Sequence, residues 1–186
     1  YLTSIQYENV FISDSRDVLF QNSPFNFVFE NKKLILSQEG FLHKDSQFNM
    51  MDQLNLQKEL RENFETFVDW PVINAGVVLG KYQNILDFCF LMWTNCITHY
   101  NCTDQAVLNF LMSKAKKDSK YYFSNPNHDN FCLTGEVYKE KFLTFDPIMK
   151  NDKILDKNER IYSLFHQWDR TKFANSILDR KSTRLN

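Results

Sequence analysis

Glycine and proline are scarce, at four each in 186 residues. With only Gly40, Gly76, Gly80 and Gly135, neither GxGxxG nor GxxxxGK(S/T) can be written, which excludes a glycine-rich phosphate cradle. An excess of one charge is also missing. Lys and Arg total 22 against 23 Asp and Glu, a net charge of −1, so no bulk field draws in nucleic acid or an anionic membrane. The four cysteines, Cys89, Cys96, Cys102 and Cys132, form no CxxC and no His-rich spacing, so a structural zinc site is not expected; a disulfide is allowed but not implied. Long apolar runs are absent as well. The most apolar stretch, residues 82–99, is interrupted by Gln83, Asn84, Asp87, Thr94 and Asn95 and is too polar to span a membrane. No internal repeat or low-complexity tract occurs.

What is plentiful is aromatic: 18 Phe and 8 Tyr, in a chain 43% hydrophobic and 24% charged, an ordinary composition for a globular domain. Val10–Ser13 reads as a buried strand delivering polar residues at its carboxyl end. Residues 25–29 and 34–37 read as strands around a polar turn, and residues 50–67 as an amphipathic helix with Met51, Leu54, Leu56, Leu60, Phe64 and Phe67 inward. Residues 72–79 read as a strand interrupted by Asn74 and Gly76. A helix follows over 82–99, with Tyr82, Ile85, Leu86, Cys89, Trp93, Cys96 and Ile97 on its inner face. Thr103 is an N-cap for a helix to about residue 116, with Asp104 in its first turn. Short strands near 120–123, 131–133, 142–145 and 161–165 and a helical 171–178 complete an α/β pattern.

Ligands of open α/β sheets bind at the carboxyl ends of strands. Polar clusters fall at or near such places: Asp14, Arg16 and Asp17; Asn74 and Gly76; His166 to Arg170; while Asp104 and Gln105 open a helix. Two carboxylates and an imidazole suit Mn²⁺ or Mg²⁺. A cation in turn suits a phosphate-bearing substrate, whose departing diphosphate gathers charge. His43, His99 and His128 have no evident partners and read as structural. The sequon Asn101-Cys-Thr103 adjoins Asp104, where a glycan would crowd a pocket, and reads as unoccupied.

Four stretches, in order, resemble GT-A glycosyltransferases. Phe11-Ile-Ser-Asp-Ser-Arg-Asp-Val-Leu-Phe-Gln21 with Pro24-Phe25 looks like their DxD-type metal strand in the form D-x-R-D-V-x-F-Q…P-F. Ile73-Asn-Ala-Gly-Val-Val-Leu-Gly80 resembles the strand lining the donor-sugar pocket, Thr103-Asp-Gln-Ala-Val-Leu-Asn109 the D-Q helix start, and Ile161 through Phe165-His-Gln-Trp-Asp-Arg170 the late His motif that completes the metal site. The resemblance covers residues 8–178. It implies a GT-A-like mixed, mostly parallel sheet flanked by helices, and metal-dependent transfer of a sugar from a nucleotide-diphosphate donor to a hydroxyl of a glycan, protein or lipid. It places Asp17 and His166 on Mn²⁺ (or Mg²⁺), Asp14, Arg16, Asn74, Ala75, Gly76 and Arg170 at the donor, and Asp104 and Gln105 in catalysis. Ser15 stands where a strict DxD has its first Asp, which feeds the alternative of a non-catalytic carbohydrate-binding relative. Golgi or other secretory membranes are the implied location in a eukaryote, and the cytoplasm otherwise. The chain begins at Tyr1 without Met, and residues 179–186 resemble a translated sequencing adaptor. Residues 1–178 are therefore expected to be part of a catalytic domain lacking its N-terminal βαβ portion.

Overall fold

The computed structural model describes residues 8–27, 34–60, 67–98, 101–115, 118, 120–135, 143–175 and 177. β3 (Leu34–Leu42) and β4 (Pro71–Lys81) run antiparallel through the middle of a four-stranded sheet. β1 (Asn9–Ser13) lies antiparallel beyond β4, and β5 (Tyr121–Ser124) parallel beside β3. In a second sheet, β9 (Leu164–His166) sits between β2 (Val18–Phe20), antiparallel, and β6 (Cys132–Thr134), parallel. β7 (Ile148–Lys150) and β8 (Lys153–Leu155) form a hairpin.

The mixed α/β class holds, but the expected mostly parallel sheet does not: antiparallel pairs predominate. For the central pair, β3 and β4, the cause lies in α1 (Gln47–Leu60), which packs on α3 (Asp104–Lys114). The chain thus re-enters as β4 from the end where β3 left it, whereas a parallel pair needs a full crossover.

The larger sheet is covered on both faces. Leu34, Leu36, Ile73 and Val78 pack with Ile85 and Phe88 of α2 (Tyr82–Thr98) and with Leu108 and Met112 of α3. Ile35, Val77 and Leu79 pack against Phe131, Cys132 and Leu164 on the side of the second sheet. Alternation along β3 sends neighbours to opposite cores. Gln21 stitches the hairpin to the second sheet: its amide accepts from Ile154 N–H at 2.6 Å and donates to the carbonyls of Ile154 and Tyr162.

Several local expectations are corrected. Pro24–Asn26 is a 3₁₀ turn, because Pro24 at its first position presets helical φ, and the rest of the expected 25–29 strand lies outside the described residues, save Phe27. The 50–67 helix starts at Gln47, and residues 61–66 lie outside the described residues. Its buried residues are Asn49, Gln53, Leu56 and Gln57, while Met51 is half exposed. Two of these amides find partners on α3: Gln53 donates to Ala106 O at 2.8 Å, and Gln105 donates to Asn49 at 2.9 Å. On α2 the inner stripe is Ile85, Phe88 and Met92, leaving Trp93 and Ile97 in solvent. Residues 143–145 form a bend, not a strand. The four cysteines are free thiols. No helix among the described residues is long and apolar enough to cross a membrane. Residues 178–186, including the adaptor-like octapeptide, lie outside the described residues.

Candidate metal centre

β4 breaks register in its middle. Two residues on from Leu36, the partner position on β4 has moved five, from Val78 to Ile73. Asn74, Ala75 and Gly76 therefore bulge away from β3, an irregularity that re-aims backbone groups beside a site. Asp14, just past β1, donates its N–H to Gly76 O at 3.0 Å, which sets its carboxylate over the bulge.

Three side chains meet there. His166 Nε2 lies 3.0 Å from Asp14 Oδ2 and 3.5 Å from Asp17 Oδ1, and one ligand atom from each residue falls within 4.8 Å of the others. The imidazole is buried at 2% exposure, Asp17 is at 27% and Asp14 at 57%, so the cluster opens outward through its carboxylates. β9 supplies His166 from the centre of its sheet, paired to Val18 on one side and Thr134 on the other. The His166 Nδ1 has no hydrogen-bond partner, so the ring is held by packing and by its Nε2 contact with Asp14.

Glycine is required beneath this cluster. A Cβ on Gly76 would collide with His166 Cε1 and stand 2.5 Å from Asp14 Oδ2. A Cβ on Gly135 would collide with Gln167 O, so a second glycine lets β6 approach the chain just after His166. Gln167 itself is left-handed (φ 57°), uncommon for a residue with a side chain, and its N–H donates to Asp17 O at 2.8 Å. That bond ties the third ligand to the first loop.

Burial pushes the His166 imidazole below its ordinary value, and the Arg170 charge acts the same way, against the pull of Asp17 and Asp14. The ring is thus kept neutral, the form that can ligate. Two carboxylates with one imidazole, converging over a floor without a side chain, could hold a metal ion.

A cleft of about 950 Å³ begins one residue from His166, at Gln167. It is lined by Glu39, Asn49, Asp104, Gln105 and Arg170 among others, with the exposed ring of Phe48. Thr103 caps α3 by accepting from Ala106 N–H, and Asp104 accepts from Gln105 N–H at 2.8 Å. Gln105 Oε1 faces Ala75 N–H at 3.4 Å, joining the cleft wall to the bulge.

The sequence-derived residues thus fall into two groups. Asp17 and His166, read from the sequence as metal ligands, sit together with Gly76 below them; Asp14, read as a donor contact, stands in the cluster itself. Asp104, Gln105 and Arg170 share the cleft. Ala75 lies between the two. Arg16 is exposed, with no ion-pair partner among the described residues. Asn74 is 1% exposed, and its amide is engaged inside the protein. His43 is structural: its Nε2 reaches Asn109 Oδ1 at 3.2 Å. Sequence reasoning passes over Glu39, Phe48, Asn49 and Gly135. Gly135 is legible in principle, as one of only four glycines. No protein-family model matches the chain, and no curated protein is significantly similar to it.

Proposed function

We propose that this chain carries a metal-dependent glycosyl-transfer site that uses a nucleotide-diphosphate sugar and a hydroxyl acceptor. The observation that carries the reading is the convergence of Asp14, Asp17 and His166, 152 residues apart at its extremes, over a glycine floor beside a polar cleft. The resemblance to GT-A glycosyltransferases points the same way. Asp14, Asp17 and His166 would hold Mn²⁺ or Mg²⁺. Such a cation stabilises charge gathering on a departing diphosphate by several kcal/mol.

The chain's own residues bind and orient. Asp104, Gln105, Asn49 and Thr103 line one cleft. Gln105 bonds Asn49 and the Thr103 hydroxyl donates to Asp52, which fixes the wall, and the exposed Asp104 carboxylate is placed to accept from a sugar hydroxyl. Arg170, at the same cleft, offers a fixed positive charge to a phosphate oxygen.

The test is Mn²⁺-dependent hydrolysis of UDP- and GDP-sugars without acceptor, with EDTA as control and calorimetric titration of Mn²⁺ alongside. Metal-dependent release of nucleoside diphosphate, lost in Asp17→Asn, supports the reading. A chain that binds no Mn²⁺ overturns it. A second reading, a carbohydrate-binding relative without turnover, is favoured by Ser15 at the first position of a strict DxD. It is distinguished by sugar binding with no donor hydrolysis.

A further inference from the structure

Asn74 is the most constrained polar side chain of the bulge. Its Nδ2 donates to Glu39 Oε1 at 2.8 Å, and its Oδ1 accepts from the N–H of Gly76 at 2.8 Å. Gly76 in turn accepts from Asp14 N–H at 3.0 Å and lies directly against His166 and the Asp14 carboxylate. Glu39 and Asn74 are 2% and 1% exposed. A buried carboxylate on a central strand needs a reason, because removing a charge from water is costly unless hydrogen bonds compensate.

We infer that Glu39 is a positioning residue of the metal centre, acting through Asn74 on the Gly76 peptide. This rests on the metal reading above. The logic is one of donors and acceptors. A side-chain amide can turn either end toward a neighbour. The Glu39 Oε1 that receives the Asn74 N–H is an acceptor, so it admits the Nδ2 end of Asn74 and rejects the carbonyl end. That choice leaves Oδ1 facing Gly76 N–H. In the opposite orientation two donors would face each other at Gly76, and the bulge would shift. The Gly76 peptide has no slack, since even a Cβ is excluded by His166 and Asp14, so a shift there moves two of the three ligands. Outer hydrogen-bond partners of a metal site typically set affinity by about 10–100-fold.

Swapping the chemistry of the pair tests this. Asn74→Asp alone places two carboxylates against each other. Glu39→Gln combined with Asn74→Asp restores the pattern, with an amide donating from position 39 to a carboxylate at position 74 that also accepts from Gly76 N–H. Mn²⁺ affinity is measured by electron paramagnetic resonance titration on the full chain, with thermal melting in parallel. Asn74→Asp and Glu39→Leu are expected to weaken Mn²⁺ by about 10–100-fold. The double variant is expected to return within about threefold of wild type, the non-additivity of two residues in contact. Should Glu39→Leu fail to fold, the swap carries the test alone. Wild-type Mn²⁺ binding with unchanged affinity in Asn74→Asp and in folded Glu39→Leu, or a double variant as weak as Asn74→Asp, overturns the positioning role while leaving the metal centre standing. A wild type that binds no Mn²⁺ overturns the metal reading, and this inference with it.

Discussion

The two halves of β4 obey different rules. From Val77 to Lys81 the strand pairs residue by residue with β1, and Val78 to Gly80 pair with β3. Val77, Val78 and Leu79 are at most 1% exposed and face two apolar cores. From Pro71 to Gly76 the ladder to β3 is interrupted, and polar side chains hold the backbone: Asn74 with Glu39, and Asn109, whose amide grips both the N–H and the carbonyl of Ile73 at 2.7 and 2.8 Å. The apolar half is held by area removed from water, which tolerates swaps of similar volume. The polar half is held by completed hydrogen bonds, where each lost partner leaves a buried group unsatisfied at about 1–3 kcal/mol. One strand thus divides stability from site geometry, and substitutions should separate them.

The largest effects belong to the polar half. Gly76→Ala drives a methyl into His166 and Asp14, so Mn²⁺ affinity should fall by more than about 100-fold, beyond the range of outer-shell partners. Under the proposed function, Asp17→Asn keeps the shape and removes an anionic ligand, so donor turnover should fall by about as much or more while the melting temperature stays within a few degrees. Titrating Mn²⁺ into both variants checks the pair. Near-wild-type affinity in Gly76→Ala would mean that the floor is not rigid and the two halves are not distinct.

Next comes the apolar half. Leu79→Ala should cost about 2–5 kcal/mol, because Leu79 is fully buried in a continuous core. Urea unfolding gives the loss. Mn²⁺ affinity of the remaining folded protein should stay within about twofold, additive with the site variants as expected for separated positions. A coupled loss of metal affinity would show that the bulge leans on the core.

Much of this division is legible in the chain, and the gaps have identifiable causes. β1, β4, α2 and the Thr103-capped α3 follow from periodicity and capping. Asp17, His166 and Gly76 stand out through motif order. Asp14 reads as a donor contact because nothing local reports its meeting with His166, 152 residues away. Glu39 looks like an ordinary strand residue, since its partner Asn74 lies on another strand. The amide face of α1 is hidden because an inward Asn or Gln reads as outward until its partner is known. The β7–β8 hairpin escapes a sequence reading because its turn, Asn151–Asp152, reaches positive φ (47° and 65°) without a glycine.

A moderate effect comes from His43, which supports Asn109 and through it the polar half. Burial pushes the His43 imidazole below its ordinary value, against the Asn109 and Asn49 hydrogen bonds. Asn109 Oδ1 already accepts from Ile73 N–H, so His43 Nε2 is the donor, neutral and buried. In the unfolded chain the ring protonates near its usual value of about 6.5. The unfolded state therefore binds the extra proton first, and stability is full above about pH 6.5 and declines as pH falls below it. His166, shifted the same way, adds to this decline. Each histidine contributes at most about 1.4 kcal/mol per pH unit. His43→Gln keeps a donor near Asn109 without titrating, so urea midpoints between about pH 7.5 and 5 should fall less steeply than in wild type. An unchanged slope would show that His43 is not what the acid side of the curve reports.

The smallest effect should come from α2, which lies over the apolar half. Ile85 and Phe88 face the sheet at 2% and 9% exposure, whereas Trp93 stands at 61% with the Phe90 ring beside it at 6.2 Å. Periodicity alone makes Trp93 a core residue, as a large aromatic four positions after Cys89 on one stripe. The packed stripe is the neighbouring one, Ile85–Phe88–Met92, because β1 and β4 meet the helix there. Phe88→Ala should cost about 3–5 kcal/mol through transfer and cavity terms. Trp93→Ala removes more atoms yet should change stability by no more than about 0.5 kcal/mol, the usual range for a surface position. Thermal melts of the two variants side by side decide it. A loss of about 2 kcal/mol or more in Trp93→Ala, on the scale of a buried side chain, would mean that this face is covered, and that α2 is held by two stripes instead of one.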